Sequence, residues 1–340
     1  MLQLKNQSPF APAISLLPNQ DGIDTLYVVI RATFELAPVL KLADKQLPPG
    51  LADEYMGEPG ASSLKYASEL HLGKPSTDVV LMGNAWAPGG RTATESLVVL
   101  QVAQRRKIIR VFGDRTWKAD GFTKPQPFEC IPLVYERAFG GTPPQRDPTR
   151  VLAEERNPVG TGFAGDRKPD EMVGEKLPNL EDLDQLLDKP GDVVSPACFG
   201  FVAASWLPRR SHAGTYDAEW QRKRAPYVPN DFNPRFFNCA CPDMIFDRYL
   251  EGGEPVMIQG ASRNAMLQLT LPRCSLQVSV NVAGSAEAPR ANLETVLFEP
   301  DDNRMSMSWR AQVPCDKQAL KVEQVTVALQ SLELEAGGPR

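Results

Sequence analysis

The sequence predicts a mainly β protein, α+β at most: antiparallel, sandwich-like sheets under long Pro/Gly/aromatic-rich loops, with a few short helices. Three observations lead there. β-branched runs recur near both ends of the chain, no long run has helical periodicity, and seventeen of the 31 prolines crowd the segment 120–255. Proline fixes φ and removes a backbone donor, so that middle segment cannot build continuous strands or long helices.

The first strands are expected within residues 1–119. Leu26–Leu36 carries Val28, Val29, Ile30 and Thr33, residues that suit a pleated, half-buried surface better than a helix. Asp78–Trp86 and Glu95–Val102 are separated by Ala87-Pro88-Gly89-Gly90 and read as the arms of a hairpin. Lys107–Phe112 follows as another strand, with the basic Gln104–Lys107 between as a solvated turn.

The middle, 120–255, is expected to be ordered loop, because Phe, Tyr and Trp recur along it and a linker would lack them. Short helices are placed over Glu181–Leu187 and Asp217–Arg224. Strands return over 256–330. Pro255–Gly260 and Met266–Leu271 flank a turn, Leu276, Val278, Val280 and Val282 alternate along one strand, and Leu293–Phe298 with Met305–Val313 forms a hairpin. Val322–Leu329 closes the series, and 331–340 reads as a frayed tail. Strands at both ends with no long helices between them argue for antiparallel sheets in one composite domain spanning 1–330.

Composition limits the functional classes. At 340 residues, 42% hydrophobic and 23% charged, the chain can bury a large core and is not disordered. A net charge of −5 supplies no positive field for phosphate backbones, so nucleic acid is not an expected partner. The first residues lack the apolar core of a signal peptide, and no stretch is long enough for a spanning helix, so a cytoplasmic protein without membrane insertion is expected.

Catalytic patterns are sparse. Only His71 and His212 offer an imidazole, and no Gly-x-Ser-x-Gly elbow is present. His71 is placed at a strand edge or turn. His212 has Arg210, Tyr216 and Asp217 nearby in sequence, the basis of an alternative reading as a hydrolase using His212 and Asp217. Cys239-Ala-Cys241 lacks the second half of a zinc site and reads as a pair of buried thiols. The glycine pairs lack the lysine and spacing of nucleotide-binding loops, so no cofactor is expected. The acid pairs Asp53-Glu54, Glu154-Glu155 and Glu181-Asp182 read as partners of the abundant arginines rather than as glycosidase acids.

The most specific features are peptides that mix charge, glycine, proline and aromatics: Leu51–Tyr66, with Asp53, Glu54 and Tyr55; Arg110–Trp117; Pro132–Gly141; Glu155–Phe163; Leu177–Asp182; Phe199–Asp217; and Asp231–Asn238. With the opening Asn6–Phe10 they resemble a bacterial family of unknown-function domains encoded in type VI secretion gene clusters. That resemblance covers Leu4 to about Leu271. It implies an effector chaperone or adaptor that binds a toxin and helps load it onto VgrG and PAAR-like spike proteins; it implies no catalytic residue.

In physical terms, arginines in long loops can satisfy orphan carbonyls while aromatics exclude water. Arg115, Arg137, Arg156 and Arg235 are the candidates for that task. Trp117, Trp206, Tyr216, Trp220, Phe236 and Phe237 are candidate loop covers or interface anchors. The tryptophans and the strands also motivate a third reading, a carbohydrate-binding β-sandwich module.

Overall fold

In the computed structural model, which describes residues 2–36, 39–147, 149–263 and 266–334, the chain is mainly β, and three sheets supply most of the core. The largest runs Ala11–Pro18, Asp24–Glu35, Arg304–Pro314, Asn292–Glu299, Asp78–Leu81, with Lys41–Leu42 added beside Asp24–Glu35. All its pairs are antiparallel except Asn292–Glu299 with Asp78–Leu81. A second, antiparallel sheet runs Leu180–Asp182, Arg105–Phe112, Glu95–Val102, Pro255–Gln259, Met266–Thr270. The third runs Gln3–Gln7, Val322–Glu333, Arg273–Val282, Ser285–Glu287. Each sheet therefore draws strands from both ends of the sequence.

Period-two alternation explains the packing. From Arg304–Pro314 the side chains of Met305, Met307, Trp309, Ala311 and Val313 join the main hydrophobic core, as do Leu26, Val28, Ile30, Ala32 and Phe34 from Asp24–Glu35. Val278 and Val280 pack into the same core, with Leu276 and Val282 partly buried against it. A smaller cluster of Trp117, Phe139, Ala164, Met172, Leu177, Leu187 and Val194 sits under the middle loops, so those loops have an apolar interior of their own. Their backbones pass so close that some positions admit only glycine. A Cβ on Gly140, at φ +149°, would lie 2.2 Å from the Asn157 carbonyl.

Several expectations need correction. Asp78–Trp86 is not one arm of a hairpin: it breaks at Gly83, φ +143°, into Asp78–Leu81, paired with Asn292–Glu299, and Asn84–Trp86, paired with Cys130–Pro132. Asp301 holds the break by accepting from the Asn84 backbone N–H at 2.8 Å and from Trp86 Nε1 at 2.8 Å. Glu181–Leu187 is not helical, because Leu180–Asp182 pairs with Arg105–Phe112 and draws Glu181 into the interior. The turn after Glu95–Val102 is Ala103-Gln104, and Lys107 is a buried strand residue paired with Asp243 rather than part of a solvated turn. The final strand continues to Glu333, past the expected start of the tail at 331, and residues 335–340 lie outside the described residues. The helix near Asp217 is present as Ala218–Lys223, capped by Asp217, which accepts from the Trp220 N–H at 2.8 Å. Among the described residues no helix is long and apolar enough to cross a membrane.

Candidate functional site

The largest sheet turns a polar face toward the loops. Opposite the core-facing residues of its strands stand Arg31, Ser306, Ser308, Arg310, Glu294 and Glu299, and loops from 47–77 and 199–250 lie over them. Loop backbone needs hydrogen-bond partners once it is buried, and this face supplies them. Arg310 donates from Nη2 to the Glu69 carbonyl at 2.6 Å, Glu294 accepts from the Lys74 N–H at 2.9 Å, and Thr77 Oγ1 donates to the Leu293 carbonyl at 2.5 Å. The Tyr249 hydroxyl donates to the Lys74 carbonyl.

At the centre of this network Lys74 donates to Asp78 at 2.7 Å and to Thr295 at 2.8 Å, with the Cys239 thiol 3.3 Å away. Burial disfavours the ammonium, but the groups around it, Asp78 first and Glu294 among them, together outweigh burial and hold its pKa above the usual lysine range. Asp78 also accepts from Asn238 Nδ2 and from the Cys239 N–H. Burial pushes the Cys239 and Cys241 thiols up to about 11, so they are protonated at neutral pH. His71, its side chain 9% exposed, stacks on Phe237 at 5.1 Å between ring centroids. It lies in a bend, as expected, with its side chain turned inward. Beside this network a cleft of about 470 Å³ is lined by Arg31, Glu54, Tyr66, Glu69, Lys74 and Arg304. Its charges are largely matched: Arg304 binds Glu299 and Asp302, Arg31 approaches Glu69 to 3.5 Å, and Lys74 holds Asp78.

The residues singled out from sequence do not converge on one centre. Arg115 is buried, binding Glu181 and the Pro178 carbonyl with its guanidinium 3.8 Å from the Phe112 ring centroid. Arg156 holds Glu154 and the Val194 carbonyl, whereas Arg137 holds the Asn179 and Asp114 side chains and, among the described residues, no backbone carbonyl. Arg235 donates its side chain to nothing among the described residues. Arg209, Arg167 and Arg224, which the sequence did not single out, each reach two backbone carbonyls. Asp53 accepts from the Ser68 N–H at 2.7 Å, Glu54 lines the cleft, and Tyr55 packs on the core. Trp117 and Trp206 are buried, the latter edge-on to Tyr135. Phe236 and Phe237 pack with Phe232, and Tyr216, half exposed, packs edge-on to Trp220.

His212 does not gather the expected partners. Arg210 pairs with Glu155 at 2.8 Å, and Asp217 is engaged in capping its helix. Among the described residues no group of three or more His, Cys, Asp or Glu is placed to hold a metal ion.

The surface offers a different feature. Ser285–Glu287 covers only Val280–Val282 of the Arg273–Val282 strand, so the outer edge from Arg273 to Ser279 has no strand neighbour among the described residues. Gln3–Gln7, by comparison, is short, exposed and carries Lys5, and Ala11–Pro18 carries prolines at both ends; both devices discourage pairing. Arg273–Ser279 has no proline and a single charge, at its first residue.

Fold and surface together define a mainly β scaffold with a loop-covered polar interior and, among the described residues, an unblocked strand edge at Arg273–Ser279. The chain belongs to the family described as an uncharacterized protein conserved in bacteria, DUF2169, whose model matches residues 21–310. No curated protein and no solved structure matches the chain. The family description carries no reference to secretion, so the assignment to type VI secretion, VgrG, PAAR and toxin loading is corrected: what holds is membership of an uncharacterized bacterial family.

Proposed function

We propose that the chain is a protein-binding scaffold, an adaptor or chaperone, that takes an extended segment of a partner protein against the outer edge of Arg273–Ser279. The observation that carries this reading is that edge: a row of backbone donors and acceptors with no strand beside it among the described residues. Main-chain bonds along such an edge give affinity, while alternate side chains of the added strand meet the surfaces above and below. The inner face there, Leu276 and Val278, is anchored in the core, which keeps the edge rigid and lowers the ordering cost of binding.

The competing readings find less support. Asp217 and Arg210 are committed elsewhere, leaving His212 without the partners a hydrolytic site needs. Trp117 and Trp206 lie inside, and Trp309 stacks on Phe10 within the core, so none of them forms an open platform for a sugar ring.

The test is retention of a partner by the tagged chain in its native host, compared with the Ser275→Lys/Gln277→Lys variant. Both positions are exposed, so the fold should tolerate the change within about 0.5 kcal/mol each. A protein held at stoichiometric yield by the wild-type chain and lost from the variant is expected. Equal retention by both would assign binding to another surface.

A further inference from the structure

A separate cleft of about 330 Å³ lies where the segments containing Arg209–His212 and Pro234–Phe237 meet the Arg105 end of the second sheet. Its lining includes Arg105, Arg209, His212 and Arg235 against one carboxylate, Asp247. In a chain of net charge −5 this is a local reversal of sign, and it differs from the matched cleft above the largest sheet.

The cations are also unequally occupied. Arg105 binds Asp247 at 2.7 Å. Among the described residues Arg209 has no carboxylate partner: Nε–H donates to the Phe236 carbonyl at 2.9 Å and Nη1 to the Val202 carbonyl at 2.6 Å, and the Phe236 ring lies 5.4 Å from the guanidinium. Those bonds lock the plane of the guanidinium and leave Nη2 undonated. A guanidinium held by neutral acceptors keeps its full charge, and its fork is set before a ligand arrives. The exposed Arg235 brings a second guanidinium that no acceptor claims among the described residues.

The two guanidiniums without a carboxylate decide the class of anion. An ionised carboxylate carries one negative charge, whereas a phosphate group carries about 1.5 to 2 near neutral pH and offers three acceptor oxygens to the guanidinium forks.

We propose that this cleft is a binding site for the phosphate group of a small molecule, with Arg209 and Arg235 as its cationic ligands. The site is distinct from the Arg273–Ser279 edge and does not depend on the reading given to that edge.

The test is calorimetric titration of the full chain with inorganic phosphate at low ionic strength and pH 6.5, with acetate as the comparison anion. Saturable phosphate binding is expected, tighter than acetate by about tenfold or more, and weakened about tenfold in Arg235→Gln, whose exposed side chain leaves folding intact. Arg209→Lys, which keeps the charge but loses the fork, should weaken it as well. No saturable phosphate binding, equal affinity for acetate, or unchanged affinity in Arg235→Gln would overturn the proposal.

Discussion

Arg310 donates from Nε to Glu294 Oε2 at 2.8 Å with both side chains inside the protein, and its Nη2 continues to the Glu69 carbonyl. One side chain thus ties its own strand to the neighbouring Asn292–Glu299 strand and to the loop above them. Removing one member of a buried pair leaves the other charged and unpaired, which costs more than the pair contributes. Arg310→Met should therefore destabilise the chain by about 3–5 kcal/mol in denaturant unfolding. The double variant Arg310→Met/Glu294→Gln should recover part of that loss. A single-variant cost below about 1 kcal/mol would mean that water reaches Glu294 and that the loop is not fastened there.

His71 makes the same network sensitive to pH. Burial, and then the charges of Arg310, Lys74 and Arg209, hold its pKa well below the ordinary histidine value. In the unfolded chain His71 takes up a proton near pH 6.5, while in the folded chain it does not. Its contribution is therefore fully present above that pH and is lost as pH falls toward the folded value, by at most about 1.4 kcal/mol per pH unit. Unfolding free energies measured from pH 7.5 down to 5 should fall more steeply for the wild-type chain than for His71→Gln. Parallel curves would show that the imidazole is hydrated in the folded state.

The thiols provide a check on the loop layer. Cys130 is exposed, while Cys198, Cys239 and Cys241 are buried, with burial pushing Cys198 up to about 12. A thiol reagent at neutral pH should label Cys130 first, and Cys130→Ser should remove that fast phase. Cys198, Cys239 and Cys241 should react only as the protein opens. Rapid labelling at Cys239 or Cys241 would contradict the packing described around Lys74 and Asp78.

The sequence announced the fold most clearly where a local pattern is also the structural cause. Leu26–Leu36, Leu293–Val313 and the Leu276–Val282 alternation are strands because their own side chains alternate between two environments. It misled where a partner distant in sequence decides the outcome. Asp301 fixes the bend before Trp86 from 215 residues away, and Arg115 with the Arg105–Phe112 strand turns a helical-looking Glu181 into a strand residue. The polar network lies between these cases. Asp78, Glu294 and Arg310 are charges set within β-branched or apolar runs, a pattern that signals burial with a partner, but the identity of each partner depends on strand order, which no local pattern records. Arg209 was equally hard to single out beside Arg210, because only the folded loop distinguishes the guanidinium facing two carbonyls from its neighbour bound to Glu155.

The central claim is that a partner protein adds a strand at Arg273–Ser279, and amide hydrogen exchange of the purified complex against the free chain tests it most directly. Slowed exchange concentrated along Arg273–Ser279, in amides that exchange freely in the unbound chain, is the predicted result. Unchanged exchange along that edge, with protection appearing elsewhere, would contradict it.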